Sequence, residues 1–491
     1  MSEEQSVSRR RFVKAVGAGS AVAASSVSGC IARAQSDPNT VQIAANTDLK
    51  NISGQVEKQL KRAGMPDEIS IEIIAGTAST GARQQQYNRW LSANLEQPSL
   101  LMMDSGWTIP FIVRDQLANL SEVMPDIAEM VKSNYFQTFT QTATSEQGNL
   151  HAVPLFPTTG NMLYRKDLVK EAGYSPEKEG WATNPLTWKK FSKVTKDTKK
   201  QTDTRLGFTF QGKSYAGLSC CDFREFTGTW GGSYFGPKKN LFGPVGRRPV
   251  TVDSKPVVDA TRMVRTFIEA DADNALKSVT GGISPRTVLQ WEEESSRKPF
   301  AAGNAVMHRN WPYAIAISGA EDAFGKDLGV MPIPYAVKPE EAKFDGYGGS
   351  VSSLGGWHMA LNPSAKQPEA AKEVLRAMTK EKFQLFLFET LGYLPPRRSL
   401  FESQRAKQVP VMGRYLETLK YTIAHSIPRP VTVAWPPESS KIAQQANASF
   451  SGLKAPQRAM NQLARQIEEI EQASKREEQS QNSGRIATGG R

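Results

Sequence analysis

Residues 100–107 read LLMMDSGW: four unbroken apolar residues, an acid, a Ser-Gly pair and a tryptophan. A short apolar run bounded by turn residues has the length of a buried strand, here Leu100 to Asp104, ending in a carboxylate. Working toward the N-terminus, 41–45 (VQIAA) and 69–74 (ISIEII) alternate or cluster like strands. Between them 52–62 has helical apolar spacing and stops at Gly64-Met65-Pro66, and 83–95 predicts a second helix ending at Pro98. Strand, helix, strand, helix, strand predicts a parallel α/β sheet, whose ligands gather at the C-terminal ends of its strands. Asp104 and Trp107 stand at such an end.

Working toward the C-terminus, 154–335 is richer in Gly, Trp and Tyr and carries helical spacing over 257–270. An amphipathic helix is predicted over 368–389, broken at Gly392 and Pro395-Pro396. Residues 440–470 are helical again, with Leu453, Met460, Leu463 and Ile467 at near-helical spacing, and the polar tail 471–491 is expected to be disordered. A chain of 491 residues is too long for one ordinary core, so two or three domains are expected.

Composition removes several classes of function. The net charge of +12 comes from 61 basic and 49 acidic residues spread along the whole chain. No dense Lys/Arg block interleaved with aromatics occurs, so nucleic acid is not an expected partner. The four histidines, His151, His308, His358 and His425, are isolated, so no metal site is expected, and no cofactor motif appears. There is no phosphate loop and no nucleophile elbow. The acid run Glu292-Glu293-Glu294 is expected to be a solvated face rather than a facing pair of catalytic carboxylates. Three cysteines exclude a disulfide scaffold. Cys220 and Cys221 are expected to be a buried pair of free thiols, with a vicinal disulfide as the alternative.

What the chain does offer is aromatics beside polar residues in Gly/Pro-rich segments. Trp107 follows Asp104-Ser105-Gly106; Trp230 precedes Gly231-Gly232; Trp311 and Tyr313 flank Pro312; Trp357 follows Gly355-Gly356; Trp435 precedes Pro436-Pro437. A sugar has an apolar C–H face on which flat rings stack and a rim of hydroxyls that Asp, Glu, Arg and Asn hydrogen-bond. The pattern points to carbohydrate capture.

The N-terminus carries two signals. SRRRFVK, 8–14, resembles a twin-arginine export signal through Arg9 and Arg10, and the apolar run behind it is too short to span a bilayer. Val27-Ser28-Gly29-Cys30 resembles a lipobox, implying cleavage after residue 29 and lipid attachment at Cys30. Residues 30–39 would then be the lipidated cysteine and its tether. The alternative is a soluble exported protein whose cysteine merely follows the cut.

Four internal segments carry a wider resemblance: 153–173 with its LYRKDL core, 300–311 (FAAGNAVM to Trp311), 355–361 (GGWHMAL) with Glu369-Ala370-Ala371-Lys372, and 392–398 (GYLPPRR). Together they resemble the family-1 extracellular solute-binding proteins, the carbohydrate-binding subunits of ABC importers related to maltose- and trehalose-binding proteins. The resemblance implies a two-lobe periplasmic-binding-protein α/β fold of the maltose-binding class, hinged between lobes, with lobe one over 40–152 and 345–391 and lobe two over 154–336 and 395–470. It also implies a monomer that closes on a sugar and is read by a permease. By the same resemblance Trp311, Gly356, Trp357, Asp104, Trp107 and Arg397 are ligand-site residues. Tyr164, Trp230, Tyr313 and Trp435 are added as further candidates. Two other functions stay open: a binding protein for a polyol, glycerol phosphate or polyamine, and an exported glycan-acting enzyme.

Overall fold

The computed structural model describes residues 39–76 and 80–488. Arg9, Arg10 and Cys30 therefore lie outside the described residues. The predicted strands are present: β1 is Thr40–Ala45, β2 Ser70–Ala75 and β3 Leu100–Asp104. β1 sits between the other two and pairs parallel with both, with helices Ser53–Arg62 and Thr80–Ser92 as the crossovers. Every residue of β3 is buried, which is why Leu100 to Met103 form a continuous apolar run instead of an alternation.

The sheet is not purely parallel, contrary to expectation. β4 (Ala152–Thr159) and β9 (Ser352–Leu361) join it, with β9 antiparallel to both β3 and β4, and β10 (Ser426–Pro428) adds a short parallel pairing at the start of β9. These strands arrive from distant parts of the chain, so local patterning carries no sign of their direction. A second sheet is built from β5 (Asn161–Arg165), β6 (Leu206–Thr209), β7 (Ala305–Asn310) and β8 (Leu328–Met331), in the order β6-β7-β5-β8.

Each sheet has its own apolar core. Val41, Ile43, Leu101, Met103, Met359 and Leu375 pack around the first, and Phe208, Phe226, Met263, Phe267 and Met307 around the second. The chain first passes between them at Gly160, where β4 ends and β5 begins. A Cβ at Gly160 would lie 2.0 Å from Glu225 Oε1 and 2.5 Å from Arg309 Nη2, so a larger residue there would displace that buried ion pair. The chain returns between β8 and β9. Residues such as Leu394, Phe401, Met412 and Leu419 then pack with Leu163, Phe300 and Val330 of the second sheet's side, before β10 rejoins the first sheet.

Two helical expectations change. The amphipathic stretch 368–389 is two helices, Pro368–Met378 and Glu381–Leu391. The last helix runs Pro456–Thr488, past the predicted end at 470. Glu471 explains its continuation, because its carboxylate accepts from Arg248 Nη2 at 2.6 Å and Nε at 2.9 Å in a buried site shared with Glu438. That pairing ties the helix to the body at residue 471. Leu453 does not join the apolar face and is 81% exposed, whereas Met460, Leu463 and Ile467 are buried. Among the described residues no helix is long and apolar enough to cross a membrane.

Candidate functional site

A cleft of about 350 Å³ is lined by residues that follow strands of both sheets. From the first sheet, β1 runs into Asn46, which caps the helix Thr47–Asn51 by accepting from the Leu49 N–H at 3.1 Å. Its Nδ2 donates to Tyr393 Oη at 2.7 Å, and Tyr393 Oη donates to Asp48 Oδ2 at 3.0 Å. The Tyr393 ring stacks on Phe156 with centroids 3.7 Å apart. Burial pushes the Tyr393 hydroxyl well above the ordinary tyrosine range, so it remains a protonated donor. Asp104, at the end of β3, accepts from Gly106 N–H at 2.7 Å and from Arg429 Nη1 at 2.8 Å. Both members of that ion pair line the cleft.

Trp357 is half-buried on β9, with the Arg83 guanidinium 4.8 Å from its ring centroid and Trp107 perpendicular to it, centroids 6.4 Å apart. Gly356 precedes it at φ +135°, and a Cβ there would lie 2.4 Å from the Phe156 carbonyl oxygen. That close approach lets β4 and β9 run side by side beneath the cleft.

From the second sheet, β7 ends in Arg309-Asn310 and delivers Trp311 to the cleft. The fully buried Arg309 guanidinium sits 4.1 Å from the Trp311 centroid. It is held by Glu225 (Nε–Oε2 2.7 Å, Nη2–Oε1 2.5 Å), by Gln211 Oε1 at 2.7 Å and by Asp222 Oδ2 at 3.2 Å. Burial raises the Asp222 carboxyl well above the usual range. Burial alone would lower the Arg309 value, but the facing Asp222 and Glu225 hold it above normal. Tyr313 joins the cleft, donating to Glu294 Oε1 at 2.7 Å.

Of the expected site residues, Asp104, Trp311, Tyr313, Gly356 and Trp357 line this one cleft. The others do not. Trp107 is buried behind Trp357 against Tyr87 and Phe111. Tyr164 packs on Trp181, centroids 5.3 Å apart, inside the second core. Trp230 directs its Nε1 at Met263 Sδ, 3.3 Å away. Trp435 is buried and lies parallel to Tyr234. Arg397 lies over Tyr135 and bonds Met130 Sδ and the Thr379 carbonyl. Each of these has found an apolar or internal partner, which local sequence does not reveal.

Two further expectations are corrected. Cys220 and Cys221 are joined as a disulfide. Both lie in a π-helical turn, Leu218–Asp222. The acid run is not simply a solvated face: Glu292 and Glu293 line the cleft, and burial pushes the Glu293 carboxyl up. Asn46, Asp48, Arg83, Phe156, Tyr393 and Arg429 were missed. Asn46 and Asp48 had a signal, standing just past a parallel strand where the strand-end rule looks for ligands.

Residues 61–412 match the family described as bacterial extracellular solute-binding protein. A probable ABC transporter-binding protein of Deinococcus radiodurans is 28% identical over 391 residues, covering 78% of this chain and 81% of that relative. The fold is similar to that of maltose-bound MalE3 of T. maritima (TM-score 0.73, 24% identity, 88% of this chain and 99% of that one). It is also similar to a mannitol-bound solute-binding protein of Agrobacterium vitis (TM-score 0.66, 15% identity, 89% and 99%). The chain belongs to the bacterial extracellular solute-binding protein family and has the two-lobed, maltose-binding-like α/β fold.

Proposed function

We propose that this protein captures a neutral sugar or polyol outside the cytoplasmic membrane and delivers it to the permease of an ABC importer, without making or breaking a bond. The observation that carries the reading is the convergence of Trp311 and Tyr313 from one sheet's side with Trp357 and Tyr393 from the other's, in a single cleft. Rings on both walls stack on C–H faces, while Asn46, Asp48, Asp104 and Glu293 are placed for hydroxyls. A solute touching both walls stabilises the closed arrangement, which is the differential affinity a hinge needs.

Charge argues against an anionic solute. Arg429 is paired with Asp104, and the other lining cation, Arg83, lies over Trp357, while Asp48, Glu292 and Glu293 add negative charge. A phosphate would meet more carboxylates than free cations. The relatives bound to maltose and D-mannitol agree with this class. The same reading takes Arg9 and Arg10 as the export signal and Cys30 as the lipid-bearing residue of a tethered monomer. Cys30→Ser should release the protein from the membrane fraction.

The test is titration of the purified protein with maltose, trehalose, glucose, D-mannitol, glycerol phosphate and spermidine, followed by tryptophan fluorescence and calorimetry. Saturable binding of a sugar or polyol is expected, and Trp357→Ala should weaken it by about 1–3 kcal/mol, the scale of a ring stacking on a flat ligand. Saturation by glycerol phosphate or spermidine alone would overturn the neutral-solute reading.

A further inference from the structure

The turn Leu218–Asp222 is fixed on every side by buried hydrogen bonds. Ser353 Oγ of β9 donates to the carbonyls of Cys220 (3.2 Å) and Cys221 (3.1 Å), and Ser353 N–H donates to Glu225 Oε1 at 3.0 Å. Ser219 Oγ bonds Ser439 Oγ at 2.6 Å, and its carbonyl accepts from Tyr234 Oη at 2.9 Å. Asp222 accepts from the Gln211 N–H at 3.0 Å and faces Arg309. Of the five residues in the turn only Cys220 and Cys221 line the cleft, and they are joined as a disulfide.

A thiol is a weak donor, but a disulfide donates nothing and presents polarisable, apolar sulfur. We infer that the Cys220–Cys221 disulfide is a ligand-contacting, specificity-determining surface. Its eight-membered ring packs against the C–H face of a bound pyranose and favours a flat ring over an open-chain polyol. The buried bonds around the turn hold that surface in place before ligand arrives, so ordering it costs no entropy on binding. The inference rests on the sugar-binding reading and names the chemistry that selects within it.

The experiment compares the intact protein with the double variant Cys220→Ala/Cys221→Ala, measuring dissociation constants for a pyranose ligand (maltose or glucose) and for D-mannitol by calorimetry. Losing contact with about two C–H groups predicts roughly tenfold weaker pyranose binding, with mannitol changed by less than about threefold. Wild-type protein treated with a water-soluble phosphine supplies a second arm that needs no refolding. The phosphine takes oxygen from water to become the phosphine oxide while the S–S bond is replaced by two S–H bonds. Two labelled thiols more than in the untreated protein mark the reduced species in the mass spectrum, which should show the same change in ratio. Equal loss for both ligand types, or no loss for either, in whichever arm retains a cooperative melt, overturns this inference and leaves the sugar reading standing. Absence of binding to every ligand by the oxidised wild type removes both.

Discussion

Replacing Arg309 by methionine removes the buried cation on which Trp311 rests. The methionine fills much of the volume of the arginine stem, but the two carboxyls of Glu225 and Asp222 lose their counter-charge. All three side chains are fully buried, so water cannot replace the lost partner. Breaking a buried ion pair from one side costs about 3–5 kcal/mol, and loss of the cation–π contact under Trp311 adds about 1 kcal/mol. The sign of the pH dependence follows from the same charges. Burial already raises the Asp222 carboxyl, and without Arg309 the cation opposing that rise is gone, so the folded state binds more protons and stability falls as pH rises. The deficit should therefore be larger at pH 8 than at pH 5. Urea unfolding followed by circular dichroism at both pH values measures it. Adding Glu225→Gln removes one uncompensated charge while keeping an acceptor for the Ser353 N–H, and should recover part of the loss. A deficit below about 1 kcal/mol at pH 8, or one that grows on acidification, would refute the account.

Gly356→Ala should be the more damaging of two neighbouring changes. Its Cβ meets the Phe156 carbonyl at 2.4 Å and the Phe139 ring at 2.5 Å at a φ of +135°, whereas the nearest atom to a Cβ at Gly355 is the Thr158 methyl at 3.1 Å. A loss of about 1–3 kcal/mol or more is expected for Gly356→Ala, with weaker ligand binding, and a smaller loss for Gly355→Ala; thermal melts compare them. Stability should also fall with acid through His308 and His358, both lowered by burial from 6.5 to about 3. Between those values the unfolded state binds more protons, so their contribution is complete above 6.5 and is lost as pH falls, by about 2 kcal/mol per histidine between pH 6.5 and 5. Replacing each by asparagine should flatten the slope of stability against pH; an unchanged slope would show that these rings do not carry it.

The chain's own pattern determined the local pieces. The apolar run 100–104, the alternations in 41–45 and 69–74 and the helices between them are set by short-range spacing, and they appear as β3, β1, β2 and their crossovers. The Gly-Gly-Trp and Trp-Pro-Tyr segments likewise marked Gly356, Trp357, Trp311 and Tyr313 as candidates, and all four line the cleft. Tertiary structure decided which aromatics face that cleft. Trp230 and Trp435 have the same kind of sequence surroundings, yet Met263 and Tyr234 cover them, and Tyr164 packs on Trp181. It also decided the direction of β9, the joining of Cys220 to Cys221 and the continuation of the last helix past Glu471. Each of these depends on partners far away in the chain: β3 for β9, Ser353 for the cysteine turn, Arg248 for Glu471. Burial and pairing between distant residues leave no periodicity in the segments they join, so only the folded chain discloses them.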